Sequence, residues 1–536
     1  MSVLRRNIAA LMGAAALAAC SSGDQQSPAS TSAVNGQVSA NLRSSLSGST
    51  TQPAQAEVLL PQARLVPIIS SGDLMPGSNL PWAPTPDGLG AFREGRSVVV
   101  FANHEITAAG VTSSNGGSAF LYSRVSRLTI DPATLKVTDG IYAENGISQY
   151  IRLCSATWVD AAEGLPSGYF LAGEENGATP NGSTAIAVSR DGSKVTKLPH
   201  LGALSHENVI AVPGFGRKIV AFGTDDAAGQ SELYMYVAAD EAGFINGTGK
   251  LYVFKTDATT AGGAPLHSGN LVDGQTVPGY FVEIADPGDL AAAPASRFNN
   301  LQSKVDKLGA MPFVRLEDID YLKQDGDDDD RSFGREGDRD DDRRGRRPAV
   351  YFLDTGSESV KGRAAVGAAC GGPCDPAGSL YRVTLDPRDP TTNAQLTLIQ
   401  RSKGAAYGWA SPDNISLSRN SVMVMEDPAY SGFDGSRAPG IFNARLSSRG
   451  DVGTFTQVVK LTQETLIPGP AGKCVDAAGL CWESSGIITT EELLGEGTWL
   501  FDVQAHTLPF TAGTGTDAKV YPKEGGQLLY LRLPGS

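Results

Sequence analysis

The sequence predicts an all-β fold, an irregular β-propeller, on three observations. Short runs rich in Val, Ile, Tyr and Phe recur along the chain, most of them bounded by Gly, Asp, Asn or Pro. The 536 residues carry 63 Gly and 31 Pro, the punctuation of many tight turns. The roughly 480 residues beyond the N-terminal region exceed the usual size of one hydrophobic core, and radial repetition accommodates such a length without separate domains.

The expected strands are Ser97–Phe101, Tyr122–Ile130, Gly168–Ala172, Lys218–Phe222, Leu233–Val237, Lys250–Lys255, Ala349–Leu353, Leu380–Leu385, Ser421–Met425 and Leu528–Leu533. Amphipathic helical stretches are few, and Leu301–Leu308 is the best of them. No clean repeat period is visible, so the blades are expected to be irregular.

The N-terminus reads as an export signal. Arg5 and Arg6 precede a short apolar run, Ile8 to Ala19, which is too short to span a membrane stably. Leu17-Ala18-Ala19-Cys20 matches the bacterial lipobox, in which Cys20 is lipidated and becomes the first mature residue. Ser21 after it favours the outer membrane, and the arginine pair suggests twin-arginine export beside the general secretory route. Ser21 to about Ala56 is rich in Ser, Gln, Ala, Gly and Thr and reads as a flexible tether to a single domain over 57–536. The expected location is therefore the cell envelope, with membrane contact only through the N-terminal lipid.

Net charge is −14 and the isoelectric point about 4.9, with no basic stripe, which argues against a nucleic-acid partner. Residues 324–347 are almost entirely Asp, Arg and Gly and read as a solvated, disordered insertion. They lack the spaced ligands and closing Glu of an EF-hand.

Apart from Cys20, the chain holds Cys154, Cys370, Cys374, Cys474 and Cys481. In an oxidising compartment Cys370 with Cys374, and Cys474 with Cys481, are close enough in sequence to close two small loops. Cross-pairing and zinc binding by the four are the alternatives. Cys154 is then the odd thiol.

Acidic residues, often paired, recur at the edges of apolar strands. Glu174 and Glu175 follow Tyr169–Ala172, and Glu207 precedes Val209–Val212. Asp225 and Asp226 follow Ile219–Phe222, and Glu426 and Asp427 end Val422–Met425. Glu317 with Asp318, Asp413 with Asn414, and Glu483 complete the set. In a propeller such edges converge on the central channel. Clustered carboxylates repel strongly at low dielectric and require cations. All-oxygen sets suit calcium; an added thiolate or His suits a transition metal such as iron.

A string of short motifs then resembles the PhoX-type alkaline phosphatases, exported bacterial phosphomonoesterases. It runs from Pro86-Asp87-Gly88-Leu89-Gly90-Ala91-Phe92 and Asn103-His104-Glu105 to Arg152-Leu153-Cys154-Ser155 with Trp158, and the Glu174-Glu175 pair. It continues through Ser205-His206-Glu207-Asn208, Phe222-Gly223-Thr224-Asp225-Asp226 and Leu233-Tyr234-Met235-Tyr236-Val237. Arg315-Leu316-Glu317-Asp318, Ser411-Pro412-Asp413-Asn414, Glu483-Ser484-Ser485-Gly486 and Val503-Gln504-Ala505-His506 close it. The resemblance implies a propeller of six blades with iron and calcium at the channel mouth, acting on small phosphorylated substrates. It implies that Cys154 is the thiolate ligand of iron. The ligand candidates are Glu174, Glu175, Glu207, Glu317, Asp318 and Glu483, followed by Asp225, Asp226, Glu426 and Asp427. Arg152 and Arg437 are the candidate phosphate clamps. The chain departs from the family in following Cys154 with Ser155-Ala156-Thr157-Trp158 rather than a glycine-rich stretch, and in separating Gln504 from His506.

Other chemistries are poorly supplied. There are five histidines, no Gly-x-Ser-x-Gly elbow in a sensible context and no His-Glu-x-x-His motif. The rival from another class is a calcium-stabilised envelope propeller that binds a partner without catalysis. A propeller closes its own edges, so a monomer is expected.

Overall fold

The computed structural model describes residues 48–534 except 115, 118, 228–230, 287–288, 324–346, 358–374, 429–436, 470–473 and 475–480. Cys20, the tether up to residue 47, nearly all of the acidic insertion, Cys370 and Cys374 lie outside the described residues.

The protein is a β-propeller. Its strands order into four-stranded antiparallel meanders, each beginning at an inner strand. In chain order the inner strands are Pro86–Glu94, Leu153–Val159, His206–Val212, Leu316–Tyr321, Pro412–Leu417 and Glu483–Thr489, and they define blades 1 to 6 here. Each inner strand packs against the next, and that of blade 6 packs against that of blade 1, so the ring closes.

Alternation along the strands explains why the blades stand face to face. Successive side chains leave a strand on opposite sides. In Ser421–Glu426, Val422 and Val424 enter the core between blades 4 and 5, while Met423 and Met425 enter the core between blades 5 and 6. In Thr498–Ala505, Trp499, Phe501 and Val503 face blade 5 and Leu500 faces blade 1. Strands buried on both faces read as continuous apolar runs, which is why each of the ten expected strands falls on an observed one.

The chain ends close the ring. Arg64–Ser70 pairs with Gly525–Arg532, so blade 6 combines both ends of the domain. Thr276–Glu283 pairs with Lys250–Lys255 and with Ala394–Arg401, stitching the outer edges of blades 3 and 4 together. Pairing at these edges satisfies backbone groups that would otherwise be open. Residues 48–56, which composition assigns to the tether, belong to the fold: Ser49 N–H donates to Ile68 O at 2.7 Å, Gln55 N–H to Gln527 Oε1 at 2.9 Å, and Ala56 pairs with Leu461. The helix expected around Leu301–Leu308 spans Pro294–Leu308, starts on a proline, buries Leu301 and Val305, and ends at Gly309. Cys474 and Cys481 form a disulfide, as their spacing suggests. Among the described residues no helix is long and apolar enough to cross a membrane.

Candidate metal centre

The first residues of the inner strands build the site. The pairing register slips there in every blade: between Pro86 and Leu89, Leu153 and Ala156, His206 and Val209, Leu316 and Ile319, Pro412 and Ile415, and Ser485 and Ile487. Such a bulge re-aims side chains that strict alternation would send into a blade face. The re-aimed residues are Asp87, Cys154, Glu207, Glu317 and Asp413, each followed by a small or polar residue and then an aliphatic one in four of the five (Gly88-Leu89, Asn208-Val209, Asp318-Ile319, Asn414-Ile415) and by Ser155-Ala156 in the fifth. This tripeptide is the repeat of the fold. Uneven intervening loops hide its period.

Two glycines let the inner strands approach. A Cβ on Gly88 would lie 2.5 Å or less from the backbone of Cys154, Ser155 and Ala156, and one on Gly486, at φ 40°, would lie 2.3 Å from Asp87 O.

The second strand of a blade adds one more donor. The N–H groups of Glu105, Glu175, Asp226 and Asp427 bond the carbonyls of Thr85, Arg152, Ser205 and Ser411, the residues that enter the inner strands. These four carboxylates therefore hold equivalent positions in blades 1, 2, 3 and 5.

Among the described residues, seven donors converge in three overlapping groups, the ligand atoms of each lying within 4.8 Å of one another: Asp87, Glu105 and Cys154; Cys154, Glu175 and Glu207; Glu207, Glu317 and Asp413. All but Glu105 are buried. Cys154 Sγ lies 3.3 Å from Asp87 Oδ2, and Asp87 Oδ1 is buried without a hydrogen-bond partner. Burial, and then the charges of Glu105, Glu483 and Glu207, push the Asp87 carboxyl well above its usual range. Burial with neighbouring carboxylates does the same to Glu317 and Asp413, and raises Glu207 to about 8. Burial and then Asp87 and Glu207 push the Cys154 thiol up. This much concentrated acid at low dielectric fits multivalent cations, with an all-oxygen set for a hard ion at one end and a thiolate set for a transition metal at the other.

Two guanidinium groups flank the acids. Arg152 Nε and Nη2 each lie 2.6 Å from a carboxylate, of Glu105 and Glu175, with 35% of the side chain exposed. Arg315 grips Asp226 through Nε at 2.8 Å and Nη2 at 2.5 Å and reaches Glu317 at 3.3 Å. Burial disfavours both charges, but the carboxylates outweigh it and raise both pKa values. His506 bridges Glu524 at 2.7 Å and Glu483 at 3.5 Å. Gln504 Nε2 donates to Asp87 at 3.0 Å and to Glu105 at 2.9 Å.

The structure sorts the residues singled out from sequence. Cys154, Glu175, Glu207 and Glu317 are in the three groups. Asp226 flanks them on Arg315, while Asp427 and Glu483 lie near enough to raise the Asp413 carboxyl. Glu174, Asp225 and Glu426 point the other way, because adjacent residues of a strand face opposite sides. Each fastens the loop entering its inner strand: Glu174 accepts from Ile151 N–H (3.1 Å), Asp225 from Ser205 N–H (2.9 Å), and Glu426 from Ala410 N–H (2.8 Å). Asp318 sits one tier lower, bonded to Asn208 and to Ile415 N–H. Arg437 is not aimed at the acids. Its five donors go to both oxygens of Glu426 and to the carbonyls of Ala405, Gly408 and Ala438. Asp413, one of the strand-edge acids but not one of the ligand candidates, joins the site, as do Asp87, Glu105 and Arg315, which the motifs contain without marking them for it; the recurring acid–small–aliphatic tripeptide is the signal for Asp87 and Asp413.

Residues 186–328 match the family described as alkaline phosphatase PhoX. Across the fold, the chain superposes on PhoX of Pseudomonas fluorescens, solved with the transition-state analogue vanadate, with a TM-score of 0.60 at 14% identity, covering 91% of this chain and 98% of that one. A putative glycoside hydrolase of Parabacteroides distasonis (TM-score 0.29, 9% identity, 88% and 97% covered) and the Pan2 WD40 domain of Neurospora crassa (0.32, 7%, 83% and 89%) are remote and carry no functional argument. No curated protein matches by sequence. The family match over residues 186–328 points to a hydrolase of the phosphatase class, and the superposition shows a shared fold.

Proposed function

We propose that the protein is an exported phosphomonoesterase that uses iron and calcium at the end of the channel where the inner strands begin. The observation that carries this reading is the convergence of seven donors, six of them buried, in three groups linked through Cys154 and Glu207. Asp87, Glu105, Cys154, Glu175 and Glu207 would hold the metal of thiolate preference, and Glu207, Glu317 and Asp413 the calcium-like ion. Bound cations would supply Lewis-acid polarisation of a phosphoryl group and neutralise its oxygens.

The chain's own residues supply the rest. Arg152 and Arg315 present planar, permanently charged forks beside the acids, suited to hold phosphate oxygens in two-point contact. Gln504 holds Asp87 and Glu105 together with a neutral amide, which adds no charge to the cluster. Substrates are small phosphorylated molecules. The N-terminal signal supports attachment at Cys20 to the envelope after export, and the closed ring supports a monomer.

The test is elemental analysis of the mature protein exported through its own route, with p-nitrophenyl phosphate turnover on the same sample. Iron and calcium with turnover abolished by chelation is the expected result. Calcium without iron, and no turnover at alkaline pH after both metals are added, would leave a binding propeller without catalysis.

A further inference from the structure

The bulge that turns each donor inward also turns the residue after it, and these form a second tier beneath the acids. Ser155, Asn208, Asp318 and Asn414 are all buried. Asn414 of blade 5 donates through Nδ2 to Ser155 Oγ of blade 2 at 2.6 Å, joining blades that stand opposite each other in the ring. The Ser155 hydroxyl donates in turn to Glu207 Oε1 of blade 3, also at 2.6 Å.

We propose that Asn414 and Ser155 form a positioning strut that fixes the carboxylate plane of Glu207, so that this one side chain serves two cation positions at once. The proposal rests on reading the acids as a metal centre and concerns how this chain orients them. A glutamate's terminal torsion is broad and two-fold, so packing alone sets its plane poorly. Glu207 is shared by two of the three donor groups, and rotation of its carboxylate would withdraw an oxygen from one or the other. A serine hydroxyl rotates to suit its partners. Because Asn414 donates into Ser155 Oγ, the hydroxyl proton is left to point at Glu207.

Calcium titrated by calorimetry into chelator-stripped mature protein tests the strut. Outer-shell partners typically change metal affinity by about 10- to 100-fold, so Ser155→Ala is expected to weaken calcium binding by that factor. Ser155→Thr, which keeps the hydroxyl, restores it. Asn414→Ala weakens binding in the same direction, and Ser155→Ala/Asn414→Ala is no weaker than Ser155→Ala, because Asn414 acts through Ser155. Ser155→Ala also leaves the buried Asn414 amide short of an acceptor and lowers the melting temperature of the stripped protein, so calcium affinity of the folded protein, and its recovery in Ser155→Thr, is the readout that separates positioning from packing. Should Ser155→Ala fail to fold, Asn414→Ala carries the test alone. Calcium affinity within twofold of wild type in either variant overturns the strut while leaving the metal centre standing. A wild type that takes up no cation overturns the metal centre itself, and the strut with it.

Discussion

Arg437 sits at the point where sequence and structure assign different work, and Arg437→Ala separates them. As a phosphate clamp its loss would weaken substrate binding. In the structure it neutralises Glu426, whose carboxylate is fully buried, and ties together the loops at 405–408 and 438. Removing one partner of a buried ion pair costs about 3–5 kcal/mol. The lower end applies, because Glu426 keeps N–H donors from Ala410 at 2.8 Å and Gly440 at 3.1 Å. Burial already raises the Glu426 carboxyl despite Arg437, and without the arginine it can protonate, which also limits the loss. The expected outcome is a fall of about 3 kcal/mol in unfolding free energy by urea titration, with metal content and KM of the folded protein unchanged. Arg437→Lys recovers little, since an ammonium cannot reproduce five donors in a planar fork. A stability loss below about 1 kcal/mol together with a tenfold rise in KM would refute this reasoning and return Arg437 to the substrate.

Three further outcomes are expected. Arg315→Ala should raise KM for p-nitrophenyl phosphate about 10- to 100-fold, the worth of a charge-assisted two-point contact; an unchanged KM would remove Arg315 from the substrate. Cys154→Ser should strip the thiolate-preferring metal while circular dichroism stays that of the folded protein; full metal content would show that the sulfur is not a ligand. Asp502 is fully buried with neither oxygen hydrogen-bonded, and burial raises its carboxyl well above the usual range. The folded state then keeps a proton that the unfolded chain releases above about pH 4, so stability is full at low pH and falls by about 1.4 kcal/mol per unit as pH rises toward the folded pKa. Asp502→Asn removes that dependence and should gain on wild type as pH rises above about 5 in urea titrations, whereas a difference flat with pH would show that Asp502 is solvated or paired.

The sequence by itself determined the strands of the blade faces. Runs such as Ser97–His104 and Leu233–Ala238 are buried on both sides, and that burial is written as continuous apolar residues. It also marked the odd thiol Cys154, the acid pairs at strand ends and the Cys474–Cys481 link. The inner strands were harder to see. Near their start stand polar donors such as Asp87, Glu207 and Asp413 that turn to the centre of the ring, and the bulge interrupts the alternation that identifies a strand. Within an acid pair the sequence could not say which member turns inward, because strand alternation gives the two opposite sides and only the register chooses between them. Glu175 thus joins Cys154 and Glu207, whereas its neighbour Glu174 holds a loop. Tertiary structure alone decided the site, since its members come from blades far apart in sequence and meet only when the ring closes. The same closure, bringing Asn414 across to Ser155, decides how Glu207 is held.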